Sequence, residues 1–256
     1  MTVARLFDVC VGVDYSGAVG PSDRISGLKV FRSEGKAQPI QVLSTCNQRW
    51  SRRLVAEYLR HWLSGPHPSI IIGIDHAFSF PKMSLERYDL GSWDAFLDYF
   101  REIWRTDERS VEAAMNQGAP ILGESGLLRL TDRWTSSAKS VFTLDGPGQV
   151  GKSTHAGIPW LWHLRRQLGN LVHFWPFDGF KVPEGKSVIA EVYPALFKKR
   201  YSVDSCLEGH ELDAYAVCRW LQERDELGFL AQYFTPLLSP QEAEIALLEG
   251  WILGIM

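Results

Sequence analysis

Residues 11–14 read VGVD and residues 72–75 read IGID, so two short apolar runs each end on an aspartate. Runs of this kind predict strands that are buried on both faces, which is typical of layered α/β proteins. Ligand sites in α/β sheets form at the carboxyl ends of the strands. Because a carboxylate is rarely buried without a partner or a cation, we expect Asp14 and Asp75 to share one site. The local alternative for each is a turn or capping aspartate.

The remaining hydrophobic pattern predicts one α/β domain over residues 1–256, with a mainly helical insertion at about 81–140. The predicted strands cover residues 9–13, 27–33, 39–45, 69–75, 140–144, 172–175 and 187–193. The predicted helices cover residues 48–63, 159–168 and 211–227. The first three strands are expected to form a meander. We interpret the apolar C-terminal stretch as core, with a dimer contact as the alternative, so a monomer and a homodimer both stay open.

The composition is that of a soluble globular protein with a sizeable core. Of 256 residues, 45% are hydrophobic and 22% are charged, and the formal net charge is −3. This charge provides no global positive field for nucleic acid or an anionic membrane, so a nucleic-acid contact would need a local patch. The four cysteines are scattered without zinc-ligand spacing, which favours a cytoplasmic setting. The N-terminus is interpreted as a strand rather than a signal peptide, and no run approaches the roughly 20 apolar residues of a membrane span.

A glycine-rich stretch, DGPGQVGKST at 145–154, fits the phosphate-loop pattern over Gly146–Ser153. That motif holds nucleotide phosphates when a strand leads into it and a helix leads out. Proline disfavours a helix interior, so we expect the helix to begin near Pro159 and residues 146–154 to form an open loop. No apolar strand ending in aspartate follows downstream to hold Mg²⁺. We therefore interpret the match as accidental and the segment as a loop at the mouth of a site.

Two further carboxylates lie in apolar surroundings. Glu191 lies within SVIAEVYP and needs a partner, for which the simpler alternative to a functional role is a salt bridge with Lys198 or Arg200. Helical spacing places Asp213 on an apolar helix face that should turn toward the sheet. The alternative for Asp213 is an acid that the helix dipole favours in a first turn.

The candidate site is therefore made of carboxylates alone. Its predicted catalytic and metal-binding residues are Asp14, Asp75, Glu191 and Asp213. Oxygen ligands without His or Cys suit Mg²⁺ or Mn²⁺ rather than zinc. Two such ions roughly 4 Å apart can clamp the attacking and leaving oxygens of a phosphodiester. Ser16 and Lys152 are the candidate substrate-binding residues.

The order of strands, helices and acidic residues resembles the RNase H-like fold. More specifically, the chain resembles the domain-of-unknown-function family 429, described as predicted nucleases of that superfamily. The matching stretches are GVDYSGA (12–18), GIDHAFSFP (73–81), the glycine-rich segment at 146–161, EVYPALF (191–197) and LDAYAVC (212–218). The resemblance implies an RNase H-like three-layer α/β/α fold with a central mixed sheet, and a metal-dependent nuclease that uses the same four carboxylates. His76 departs from the small or aromatic residue expected after the second aspartate.

Two other functional classes stay open. An actin-like ATP-binding or phosphotransfer protein shares the core of this fold, although such proteins usually duplicate the domain and 256 residues are short for two copies. A non-catalytic binding module is the third possibility. The ten tryptophans, among them Trp160, Trp162 and Trp175, can form a stacking platform for bases or can pack in the core, which is the commoner use.

Overall fold

A mixed sheet lies at the centre of the structure, a computed structural model that describes residues 5–44, 48–65, 68–135, 137–145, 150–202 and 206–256. The strands are β1 (Val9–Asp14), β2 (Lys29–Glu34), β3 (Ile40–Gln41), β4 (Ile70–Asp75), β5 (Val172–Trp175) and β6 (Ser187–Glu191). The strand order is β3–β2–β1–β4–β6–β5. β1, β2 and β3 pair antiparallel, which confirms the predicted meander. β4, β6 and β5 extend the sheet from β1 in parallel pairs.

Helices cover both faces of this sheet, so the fold has three layers, α/β/α. The helices are α1 (Arg52–Ser64), α2 (Lys82–Arg87), α3 (Trp93–Trp104), α4 (Val111–Asn116), α5 (Leu130–Arg133), α6 (Val150–Leu168), α7 (Gly209–Glu226), α8 (Leu230–Tyr233) and α9 (Pro240–Glu249). Four of them, α2 to α5, lie between residues 81 and 140, where a mainly helical insertion is predicted. None of the helices in the described ranges is long and apolar enough to cross a membrane.

Alternation along β1 divides the core between the two faces. Val9, Val11 and Val13 join a cluster with α1, α3 and α6, whereas Cys10 joins a second cluster with α7. The buried C-terminal residues Trp251–Leu253 belong to this second cluster, which confirms the interpretation of the tail as core.

The tryptophans named above are largely packing residues. Trp160 is 7% exposed and Trp175 is fully buried, while Trp162 packs partly buried against the first cluster. Core packing therefore accounts for Trp160 and Trp175.

Helix α6 corrects the predicted helix start. It begins at Val150 rather than near Pro159, so residues 150–154 are helical and not an open loop, while residues 146–149 lie outside the described part of the chain. Pro159 lacks the N–H that would bond the His155 carbonyl one turn earlier. The Thr106 hydroxyl donates to that carbonyl instead, at 2.5 Å. A side chain from outside the helix thus compensates for the proline, which no pattern within the helix could indicate.

Two predicted strands also differ. Residues 140–144 form a turn, closed by a 3.0 Å hydrogen bond from the Thr143 N–H to the Ser140 carbonyl. The Thr143 carbonyl accepts from Gly151 in the first turn of α6, so this segment caps a helix instead of joining the sheet. The strand predicted at 39–45 is reduced to Ile40–Gln41, with residue 45 outside the described ranges.

We expect Thr106→Val to lower the free energy of unfolding by about 1–3 kcal/mol, because it leaves the buried His155 carbonyl without a donor. In a Pro159→Ala background, the restored backbone N–H at position 159 can bond that carbonyl, so the loss should shrink to below about 1 kcal/mol. Urea unfolding of the four proteins measures both values. The control is Thr235→Val, which removes an exposed hydroxyl that also bonds a main-chain carbonyl and should change stability by less than about 0.5 kcal/mol. Equal losses in both backgrounds would contradict the compensation.

Candidate functional site

Asp14 and Asp75 lie side by side at the carboxyl ends of β1 and β4. They are register partners in the parallel pairing of these strands, which places their Cα atoms about 5 Å apart. Asp14 is 5% exposed, and Asp75 is mostly buried. The expectation that these two strand ends meet at one edge of the sheet is therefore confirmed.

His210 is the first residue at this edge that sequence reasoning missed. It lies in the first turn of α7, and its Nδ1 is 2.7 Å from the Asp14 carboxylate. Burial raises the pKa of Asp14, and the hydrogen bond with His210 opposes that rise. The same hydrogen bond raises the pKa of His210. The sequence did contain a signal for His210, because it lies three positions before Asp213 and residues three apart lie on the same side of a helix.

Asp213 approaches the same edge from α7 and pairs with Lys198. The Lys198 ammonium is 2.9 Å from the Asp213 carboxylate and lies in a 3-10 turn that follows β6. Burial alone would lower the pKa of Lys198, but the hydrogen bond with Asp213 and the charges of Asp213, Asp75 and Asp14 raise it overall. A lysine thus supplies positive charge to these carboxylates.

The pKa of Asp75 is raised well above its ordinary value. Burial is the largest cause, followed by the negative charges of Asp14, Asp213 and Glu191, while Lys198 opposes the rise. We call Asp14, Asp75, Asp213 and Lys198 the carboxylate cluster. Within the described ranges, no group of at least three His, Cys, Asp or Glu side chains is arranged so that it could hold a metal ion.

Glu191 ends β6 at the same edge, but both of its oxygens bind Arg129. The Arg129 guanidinium donates to them at 2.6 and 2.7 Å, and the Phe78 N–H donates to one of them at 3.1 Å. Asp132 binds the other side of the guanidinium at 2.9 Å. Burial raises the pKa of Glu191, and Arg129 opposes that rise.

Glu191 therefore forms a salt bridge, as the simpler alternative predicted. Its partner is Arg129, however, and not Lys198 or Arg200. Arg129 comes from the insertion, 62 positions before Glu191, and no local motif marks it. A small pocket of about 120 Å³ at this edge is lined by Asp75, Glu191 and Arg129.

Ser16 and Lys152 line one cleft of about 450 Å³, together with His210. The Ser16 hydroxyl accepts from the Ala18 N–H at 3.4 Å, within the loop that follows β1. The Lys152 ammonium lies 3.3 Å from the Glu112 carboxylate. The structure thus brings both candidate substrate-binding residues to a cleft that adjoins Asp14 through its partner His210.

Arg52 shapes this cleft and is a second residue that sequence reasoning missed. Its side chain is fully buried, and its guanidinium donates to the carbonyls of Ala18 at 2.7 Å and Val19 at 2.9 Å. It thereby holds the loop after β1 against the start of α1. A buried arginine bound to carbonyls has no sequence signature, because its partners are main-chain atoms.

The phosphate-loop match meets one of its two structural conditions. A helix does lead out, since α6 begins at Val150, but a turn rather than a strand leads in. The Ser153 hydroxyl donates to the Val150 carbonyl at 2.9 Å, so it is used within the helix.

Comparisons with protein-family models, with curated proteins and with solved structures gave no match.

We expect Asp75→Asn to stabilise the metal-free protein at neutral pH by at least about 1 kcal/mol, or about 2–4 °C in Tm. The pKa of Asp75 is higher in the folded state than in the unfolded chain, where it is about 3.9. Between these two values the folded state binds more protons, so the free energy of unfolding falls as pH rises through this window. The gain from Asp75→Asn should therefore be present at pH 7 and should vanish below about pH 4.

Thermal unfolding in a chelator between pH 3.5 and 8 measures this difference. The control is Asp145→Asn at an exposed position, which should shift stability by less than about 0.5 kcal/mol at any pH. A loss of stability at pH 7 in Asp75→Asn would contradict the conclusion that burial and charge repulsion together destabilise the ionised Asp75 carboxylate.

Proposed function

We propose that the protein is a divalent-metal-dependent phosphodiesterase that acts on nucleic acid. The observation that carries the proposal is the carboxylate cluster, in which three acidic side chains are collected at the carboxyl edge of the sheet. Clustered carboxylates repel one another, and the raised pKa of Asp75 expresses that cost. Lys198 offsets this repulsion only in part, and a divalent cation would offset more of it.

The donor set fits Mg²⁺ or Mn²⁺ in its chemistry. Asp14, Asp75 and Asp213 would hold the metal, because hard divalent cations prefer carboxylate oxygens. Their side chains would first have to turn toward a common point, since they form no three-ligand metal site as they stand, with Asp14 bound to His210 and Asp213 to Lys198. When bound, such ions stabilise the attacking and leaving oxygens of a phosphodiester in an in-line displacement. The Lys198 ammonium binds Asp213 and offsets part of the negative charge of the three acids, so it has to move away when a metal binds. Glu191 was predicted as a fourth ligand, and its pairing with Arg129 supports a role in holding the site.

The protein's own side chains supply binding and orientation. The Lys152 ammonium and the Ser16 hydroxyl lie in one cleft, where they can contact substrate phosphates. His210 orients the Asp14 carboxylate through its 2.7 Å hydrogen bond. Arg52 keeps the loop that carries Ser16 in place through its main-chain contacts.

The family and setting belong to the same proposal. We also propose the RNase H-like assignment and the relationship to the domain-of-unknown-function family 429, which rest on the sequence resemblance; the three-layer α/β/α fold with a mixed sheet agrees with the fold that this resemblance implies. Nucleic acid is the proposed partner, and both a monomer and a homodimer are compatible with it. A cytoplasmic location is proposed from the cysteines, of which Cys10, Cys206 and Cys218 are free thiols.

We expect Mn²⁺ to raise the Tm of the wild type and Asp14→Asn to abolish that increase together with divalent-dependent cleavage. Saturation at about 100 times the Kd corresponds to about 2.7 kcal/mol of stabilisation. Without metal, Asp14→Asn should melt at the same temperature as the wild type or higher, since it removes one repelling charge. Lys198→Met should increase the Mn²⁺-induced shift, because it removes the competing cation. The measurements are melting with and without Mn²⁺, and cleavage of single- and double-stranded DNA and RNA.

The outcomes separate the metal site from the activity. If Mn²⁺ leaves the wild type unchanged and Asp14→Asn melts lower, the metal site is wrong and Asp14 is structural. If Mn²⁺ stabilises the wild type but no substrate is cut, the metal site stands, the choice of reaction is wrong, and the non-catalytic binding module becomes the better account. Glu124→Gln, at an exposed position that does not line the cleft, serves as the control and should behave like the wild type in both assays.

A second candidate, an ATP-binding or phosphotransfer protein, draws support from the cleft beside the start of α6. We nevertheless expect no tight Mg·ATP binding and no effect of Lys152→Ala, because no strand leads into the motif and the Ser153 hydroxyl is used within the helix. Calorimetry with Mg·ATP on both proteins tests this. Micromolar binding that Lys152→Ala abolishes would establish nucleotide binding instead.

A further inference from the structure

A cavity of about 830 Å³ lies between α1 and the C-terminal half of α6, and none of its lining residues belongs to the carboxylate cluster. Its polar lining includes Arg53, Arg60, His61, Trp160, His163 and Gln167. The volume falls within the range of about 300–1,000 Å³ that is common for small-molecule sites.

One wall of this cavity carries two arginines of α1, Arg53 and Arg60. Arg53 and Arg60 are seven positions apart in α1, so they lie on one face of the helix. Both are exposed, and neither forms an ion pair with another side chain in the described ranges. The Arg53 guanidinium lies 5.6 Å from the centre of the Trp160 ring and donates to the Ser22 hydroxyl at 3.1 Å. The first wall therefore offers two guanidinium groups that are available to an anion.

The acidic residues of the opposite wall are already neutralised. Asp107 is 4% exposed, and its carboxylate is 2.7 Å from His163 Nε2 and 3.2 Å from the Arg101 guanidinium. Glu108 binds Arg101 at 2.9 Å and Arg105 at 2.7 Å. Glu57 is the remaining acid of the lining and lies four positions after Arg53 and three before Arg60 in α1. Once Arg101 and Arg105 are counted against Asp107 and Glu108, Arg53 and Arg60 exceed Glu57 by one positive charge.

The floor of the cavity is apolar. Ala56, Leu164 and Trp160 contribute apolar surface. The indole N–H of Trp160 is itself buried, so Trp160 offers the cavity its ring rather than a hydrogen-bond donor.

We propose that this cavity binds a small phosphorylated ligand of about nucleotide size, with its phosphate held by Arg53 and Arg60. Guanidinium groups bind phosphate through paired, charge-assisted hydrogen bonds. The apolar floor and the rim formed by Gln167 and Glu57 accommodate an organic body with both donors and acceptors. This site is separate from the proposed metal site and does not depend on it.

Calorimetry of the full chain with AMP, pyrophosphate and adenosine as probes tests the proposal. AMP should bind, adenosine should bind at least about tenfold more weakly, and the double variant Arg53→Gln/Arg60→Gln should lose at least about tenfold in AMP affinity. The matched control is Arg87→Gln, an exposed arginine at the end of α2 that does not line the cavity. Asp14→Asn should bind AMP like the wild type, which keeps this test distinct from that of the metal site.

Three results would overturn the proposal. The first is equal affinity for AMP and adenosine, and the second is an equal loss in Arg87→Gln and in the double variant. The third is Arg53- and Arg60-dependent binding of a single-stranded oligonucleotide without binding of AMP or pyrophosphate at about 1 mM, which would identify a polymer track instead. Equal Tm values of the variants and the wild type would show that the substitutions have not unfolded the chain.

Discussion

The close approach of α7 to the sheet is the constraint on which the candidate site depends. A Cβ atom at Gly12 would lie 2.2 Å from the Ala214 carbonyl oxygen, and one at Gly73 would lie 2.7 Å from the Val217 side chain. Only glycine at these central positions of β1 and β4 lets the helix backbone come this near. Because α7 lies so close, its first turns bring His210 and Asp213 to the strand ends that carry Asp14 and Asp75.

Charge at this edge of the sheet is divided between two cations. Lys198 neutralises the carboxylate cluster from a turn after β6, whereas Arg129 neutralises Glu191 from the insertion. The two differ in rigidity, because a guanidinium bound on both sides by carboxylates is fixed in orientation and a lysine ammonium is a mobile point charge. The Arg129 pair therefore supports the edge of the sheet, and in the proposed function Lys198 is the cation that a divalent metal would replace.

Local sequence patterns were sufficient to predict the elements in which buried positions recur at a regular period along the chain. Burial of a regular element imposes a hydrophobic period on its sequence. That period predicts the apolar strands, the meander, the helical insertion and the helix that the structure places at 209 to 226. The patterns failed where an atom from a distant part of the chain decided the outcome. The Thr106 hydroxyl donates to the carbonyl that Pro159 leaves without a donor. Residues 140–144 form a turn that bonds to the start of α6 and therefore do not join the sheet.

The sequence by itself determined the layered α/β class, the two strand ends that carry Asp14 and Asp75, and the helix that carries Asp213. It did so because strand and helix periods place side chains on faces, and because apolar runs require burial. Only the tertiary structure decided that Arg129 pairs with Glu191, that His210 binds Asp14 and that Lys198 lies among the acids. The first two contacts join residues 62 and 196 positions apart, and the third joins Lys198 to a residue of a different element, so no spacing within one element encodes them. The physical reason is that a buried charge pairs with an opposite charge that lies near it in the folded chain. The periodicity of a single helix or strand carries no information about which residue that is.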